Sequence, residues 1–135
     1  MSDAQNLAYA TVQILHNFGA VAVVGGSVAA MLASPEARRK LAWIAFAGWT
    51  AQAASGPAFG ILSFYFHHRL PDIAGIAVAA LMIKIVCVVL GFLLVTAYLL
   101  PCPRCRERFE PLVWPASTAL AAIALTAAAV LRWFS

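Results

Sequence analysis

The chain has 135 residues, of which 64% are hydrophobic and only 10% charged, with a mean hydropathy of +0.89. Soluble domains carry about 25% charged residues, so the composition argues against a water-soluble globular fold. The formal charge of +4 sits in short turns, where it suits membrane orientation better than phosphate contacts, and no nucleic-acid partner is expected.

Four apolar runs, at about 7–33, 42–66, 73–100 and 112–133, cover most of the sequence. Each reaches the ~20 residues needed to cross a hydrocarbon core of roughly 30 Å. Lipid offers no partner for backbone N–H and C=O groups, so such runs must be helices. The expected fold is an all-α integral membrane protein, one domain over residues 1–135, built as a four-transmembrane-helix up-and-down bundle. The bilayer is its first partner.

The flank of the first run, Met1-Ser2-Asp3-Ala4-Gln5-Asn6, has no Lys or Arg, and the run is longer than a signal-peptide core. It reads as a retained helix. Gly19, Gly25, Gly26 and Ser27 mark its packing face. In the first connection, 34–40, Ser34 is placed to cap a helix that begins at Pro35. The second run carries Gly56 and Gly60 as a small-xxx-small pair, with Pro57 between them as an expected kink. The second connection, His67-His68-Arg69-Leu70-Pro71-Asp72, is short. Its two histidines read as an interfacial pair or as a surface copper or zinc contact with Asp72. The third connection, bounded by Pro101 and Pro111, is expected to be the longest and most charged.

Basic residues give an orientation. Arg38, Arg39 and Lys40 in the first connection, with Arg104, Arg106 and Arg108 in the third, lie on one side; Arg69 and Arg132 lie on the other. The positive-inside tendency puts the first and third connections in the cytoplasm and both termini outside, periplasmic in a bacterial inner (plasma) membrane. Phe64, Tyr65 and Phe66 at one boundary, and Trp43 and Trp114 near the other, suit aromatic belts.

The polar residues within the spans carry the chemistry. His16 lies roughly 14 Å inside the outer end of the first run, Gln52 roughly 15 Å from the inner end of the second, and Lys84 roughly 16 Å from the outer end of the third, at about 1.5 Å per residue. Ser55 is one turn from Gln52. Three helices thus bring strong polar groups to one level. A lysine there costs ~2.5–3.5 kcal/mol on insertion scales, so Lys84 should face the interior and meet an acceptor, a cavity water or an anionic group. No Asp or Glu lies within the four runs, so its counter-charge must come from elsewhere, such as a porphyrin propionate or a partner subunit's acid. His16 has two readings. A neutral imidazole can join helices by hydrogen bonds to Gln52, Ser55 or a carbonyl, or it can ligate haem iron or another metal or relay protons.

Cys102-Pro103-Arg104-Cys105 has the C-x-x-C spacing of a redox dithiol or half a metal site. Cys102 and Cys105 are therefore candidate metal ligands with His16, although two further ligands at matching positions are absent. C-x-x-C-H haem attachment fails because residue 106 is Arg. A cytoplasmic face argues for thiols rather than a permanent disulfide.

Helix 1 reads Ile14-Leu15-His16-Asn17-Phe18-Gly19-Ala20-Val21-Ala22-Val23-Val24-Gly25-Gly26. This resembles the "LH-x-x-G-x-x-x-x-x-GG" opening of small membrane proteins related to the copper-resistance protein CopD. Related families include four-span proteins and the haem-binding protoporphyrinogen oxidase HemJ. The resemblance covers helices 1 to 3 and implies a helix 1 histidine, a basic residue after that helix and a lysine in helix 3, positions matched by His16, Arg38 or Arg39, and Lys84. The further histidines of the HemJ pattern have no counterpart here, nor do helix 4 and the cysteine segment have one in that pattern.

Three functions follow as expectations. The first is a redox-linked protein binding haem b or a similar cofactor near mid-membrane, held by His16, Gln52, Lys84 and Arg39 and serving electron transport. The second is a non-catalytic accessory subunit of a larger membrane complex, respiratory or electron-transferring, with other subunits or further copies as partners. The third, transport of a metal or small solute, lacks the paired broken helices of transporters. No complete catalytic signature is present, so the sequence leaves open whether the chain is an enzyme.

Overall fold

The computed structural model describes residues 2–69 and 72–134, with the side chains of 103–107 outside the description. Four helices make the fold: α1 (Asp3–Leu32), α2 (Pro35–His67), α3 (Ile76–Leu99) and α4 (Pro103–Phe134). Each packs against its neighbours in the chain, and α1 closes the ring on α4. Backbones on the two diagonals do not touch among the described residues. Such a ring, with short links, is the up-and-down arrangement.

Local chemistry sets the helix ends. Ser2 Oγ accepts from the Gln5 backbone N–H at 3.3 Å and caps α1. After Ser34, Pro35 opens α2 as expected, where its missing N–H is harmless. The Glu36 carboxyl is held below its usual range because its own backbone N–H and the Ser34 hydroxyl donate to it. His68 ends α2 in the left-handed conformation, φ 54°, with its N–H donating to the Phe64 carbonyl. Gly75 precedes α3 at φ 54° and ψ −119°, a backbone state closed to residues bearing a Cβ.

Several expectations need correction. The charged segment after Pro101 is not an extended loop, because α4 starts at Pro103 and runs through Pro111 and Pro115. The α2 helix continues through Pro57. Three helical stretches, Asp3–Leu32, Ile76–Leu99 and Arg108–Phe134, are long and apolar enough to cross a membrane. The second run, in α2, falls short. Its Gln52, Ser55, Gly48 and Trp49 lower its apolarity, and those are residues it turns inward. Trp114 is 2% exposed and belongs to the core rather than a belt, whereas Trp43, Phe64 and Tyr65 are exposed. Of the glycines assigned to packing, Gly19 and Gly26 lie against α2, but a Cβ on Gly25, Gly56 or Gly60 would meet open space.

The core is organised by Trp49, the largest fully buried side chain. Its Nε1–H donates to Ser117 Oγ on α4 at 3.3 Å, and Ser117 Oγ in turn lies 2.8 Å from Ser27 Oγ on α1. On the α3 side the indole rests on Gly91, where a Cβ would approach Trp49 Cζ2 to 2.3 Å. The ring, carried by α2, thus meets α3 and α4, and α1 joins through Ser27. Ser117→Ala would orphan the indole N–H, and intrahelical-bundle hydrogen bonds in membranes average about 0.6 kcal/mol with a maximum near 1.7. A loss of roughly 1 kcal/mol in detergent unfolding is therefore expected for that variant.

At the other side of the core, Tyr98 and Trp114 meet edge to face with centroids 4.9 Å apart. Arg38 clips the ends of three helices together: its Nε donates to the Ala30 carbonyl at 3.0 Å, and its Nη1 pairs with Glu110.

Candidate functional site

Three of the four residues assigned to mid-membrane chemistry come together, and a glycine seam explains how. Gly19 and Gly48 bring α1 and α2 close enough that a Cβ on Gly19 would lie 2.8 Å from Ala51 Cβ, and one on Gly48 2.7 Å from the Val23 backbone nitrogen. At that spacing the Gln52 amide reaches across and donates to the His16 carbonyl at 2.6 Å. The same register sets the His16 ring beside Ser55 and Phe59. Phe59 meets it edge to face at 5.9 Å.

The hydrogen bonds fix the imidazole's tautomer. Ser55 Oγ lies 2.5 Å from the Ala51 carbonyl, to which its single hydrogen is donated. Ser55 therefore acts as an acceptor toward His16 Nδ1, 2.7 Å away, and Nδ1 carries the ring proton. Nε2 is then a bare acceptor. Lys84 Nζ sits 3.0 Å from it, reaching from α3 across the diagonal of the ring. The arrangement is a neutral imidazole held between a hydroxyl and a lysine. In a ¹⁵N spectrum, His16 should show the Nδ1–H form and keep it in Ser55→Ala, because the Lys84 ammonium still requires an acceptor at Nε2, whereas Ser55→Ala combined with Lys84→Met should give a mixture of tautomers. An Nε2–H form in the wild type would contradict the assignment.

Lys84 is half-buried, with one of its three ammonium hydrogens directed at His16. Among the described residues the ion pair is that of Arg38 with Glu110, and no described acid answers Lys84. Described acids lie near helix ends: Asp3, Glu36, Asp72 and Glu110.

The remaining candidates lie apart. Arg39 is exposed on the first turns of α2, roughly 20 Å along the helix from Gln52 at about 1.5 Å per residue. Cys102 is disulfide-bonded. A disulfide sulfur is not the thiolate a metal needs, and this state differs from the free thiols expected of a cytoplasmic face. The Cys105 side chain lies outside the described residues. Cys87, a free thiol one turn from Lys84, is buried against the core. His67 Nε2 accepts from the Gln5 side-chain amide nitrogen at 3.0 Å, which ties the start of α1 to the end of α2.

A haem at His16 does not fit this geometry. Nδ1 is taken by Ser55 and Nε2 by Lys84, so iron would have to displace the lysine. Among the described residues no three His, Cys, Asp or Glu side chains converge as a metal site.

Sequence reasoning missed the Trp49–Ser117–Ser27 junction and the Arg38–Glu110 pair. Small hydroxyl residues within apolar runs were the available signal for the first. For the second, nothing local connects residues 72 positions apart. No protein-family model, curated protein or solved structure matches this chain.

Proposed function

We propose that this chain is a non-catalytic subunit of a larger membrane assembly, docked through Lys84 to an acidic group on a different polypeptide. One observation carries the reading: a lysine at mid-span level, positioned by His16 and lacking any acid partner among the described residues. An ammonium in lipid is stable only when paired or hydrated. His16 supplies one acceptor, while the net charge is left over. A second copy does not remove it, because the described acids lie near helix ends rather than at the level of Lys84. The partner is therefore a different chain with a carboxylate in one of its spans.

In this reading His16 and Ser55 are positioning residues, which hold Nζ at a fixed place so that the partner's acid meets it without ordering a long side chain. The fourth span is α2, whose polar side is covered by α1 and α3. The basic residues favour the first and third connections on the cytoplasmic side of a plasma membrane.

The test is native mass spectrometry of assemblies extracted from native membranes. The wild-type chain should appear within a discrete complex that holds a second polypeptide, and Lys84→Met should release it as a 14.3 kDa species. A wild-type chain recovered solely as a monomer or as a homo-oligomer would overturn the proposal.

A further inference from the structure

The end of the bundle bearing Arg38 contains a cavity of about 470 Å³ lined by Met31, Arg38, Glu110, Pro111, Trp114 and Pro115. It is remote from His16 and plays no part in docking through Lys84. Three features in its wall lack an explanation within the chain. The Trp114 Nε1–H is buried and makes no hydrogen bond, alone among buried side-chain polar atoms of the described residues. Buried donors are almost always satisfied, and an orphan marks a missing partner. The ring holding it is fixed by Tyr98.

Arg38 is the second feature. Its Nε and Nη1 are engaged with Ala30 and Glu110, whereas Nη2 makes no hydrogen bond to the described residues. Proline supplies the third: residue 115 has no N–H, so the Pro111 carbonyl lacks its helical donor. The wall thus offers two unpaired donors and one unpaired carbonyl acceptor, beside the Glu110 carboxylate that Arg38 already pairs.

The setting narrows the ligand. Arg39, Lys40 and Arg108 are exposed on the adjoining first turns of α2 and α4, outnumbering Glu36 and Glu110 together with Arg38. Met31, Leu32 and Leu112 beside the cavity are exposed apolar side chains, Leu32 at 87%. A cationic polar notch beside an apolar wall suits an amphiphile whose anionic head enters the notch while its chains lie along the helices.

We infer that this cavity binds the headgroup of an anionic phospholipid. A phosphodiester oxygen would accept from Trp114 Nε1–H and Arg38 Nη2, and a headgroup hydroxyl would donate to the Pro111 carbonyl. Free phosphate shares the anionic chemistry but not the apolar contact.

Binding is measured on the detergent-purified full chain by native mass spectrometry and thermal unfolding, with phosphatidylglycerol, phosphatidylcholine and inorganic phosphate as separate probes. Phosphatidylglycerol should remain bound and raise the unfolding temperature, whereas the other two at equal concentration should not. Trp114→Phe keeps the ring against Tyr98 and removes only the N–H. It should weaken phosphatidylglycerol binding about tenfold, the loss of one hydrogen bond to a charged acceptor, without lowering the lipid-free unfolding temperature. Arg38→Gln should weaken binding at least as much. Equal binding of phosphatidylcholine, a full effect from inorganic phosphate alone, or wild-type affinity in Trp114→Phe would each overturn the inference.

Discussion

Gly91→Ala should lower the stability of the bundle by about 3 kcal/mol, near the upper end of the range for overpacked cores. The added methyl would stand 2.3 Å from Trp49 Cζ2 and 2.4 Å from Cε2, well inside contact distance. The indole cannot step back freely, because Nε1, the atom bonded to the clashing Cε2, is tied to Ser117 and the side chain is 1% exposed. The backbone of α3 must move instead, opening the seam between α2 and α3. Trp49→Leu in the same chain should recover part of the loss, since it removes the obstructing ring. The double variant should then depart from additivity by about 1–3 kcal/mol, as contacting residues do. Unfolding by graded denaturing detergent, followed by circular dichroism, reads both numbers. Wild-type stability in Gly91→Ala would show that the ring is not clamped between α3 and α4.

Lys84→Met should separate stability from assembly. Removing a charge from mid-membrane relieves a cost of ~2.5–3.5 kcal/mol on insertion scales. Against this stands the loss of one partner for His16 Nε2, 3.0 Å away. The first effect exceeds the second, whose typical size in membranes is about 0.6 kcal/mol. The isolated variant should therefore be at least as stable as wild type in detergent, with unchanged helical content, while failing to enter its complex. A residue kept for packing would behave in the opposite way, with stability falling and assembly persisting.

Much of this architecture was legible in the sequence because long apolar runs obey a simple rule. Apolar runs of spanning length had to become helices, and short links between them had to make neighbours antiparallel. The convergence of His16, Gln52, Ser55 and Lys84 was readable from depth alone, since residues at one level of adjacent helices can touch. What depth could not supply was rotation about each helix axis. Gly25, Gly56 and Gly60 have the same composition signal as Gly19 and Gly48, yet they face open space while the others form the α1–α2 seam. Proline misled for a related reason. Pro101 and Pro111 read as the boundaries of a charged loop, but only Pro101 precedes α4, which starts at Pro103, where a missing N–H costs nothing, and then runs on through Pro111. Arg39 was grouped with the mid-membrane residues through a pattern of residue types, and its place at the helix end separates them.

The two polar centres of the molecule have different relations to their surroundings. At His16 every nitrogen of the ring is answered from within the chain, and it is the lysine's charge that is left over. At Trp114 a neutral donor is left over beside a guanidinium with a free edge. A protein-borne carboxylate suits the first, and a headgroup oxygen suits the second.

The most direct test of the central claim is a charge exchange across the interface. Lys84→Glu should prevent assembly, and replacing the partner's intramembrane acid by lysine should restore it, with the complex reappearing at its original mass. Normal assembly of Lys84→Glu alone, or failure of the exchanged pair to re-form the complex, would contradict the account.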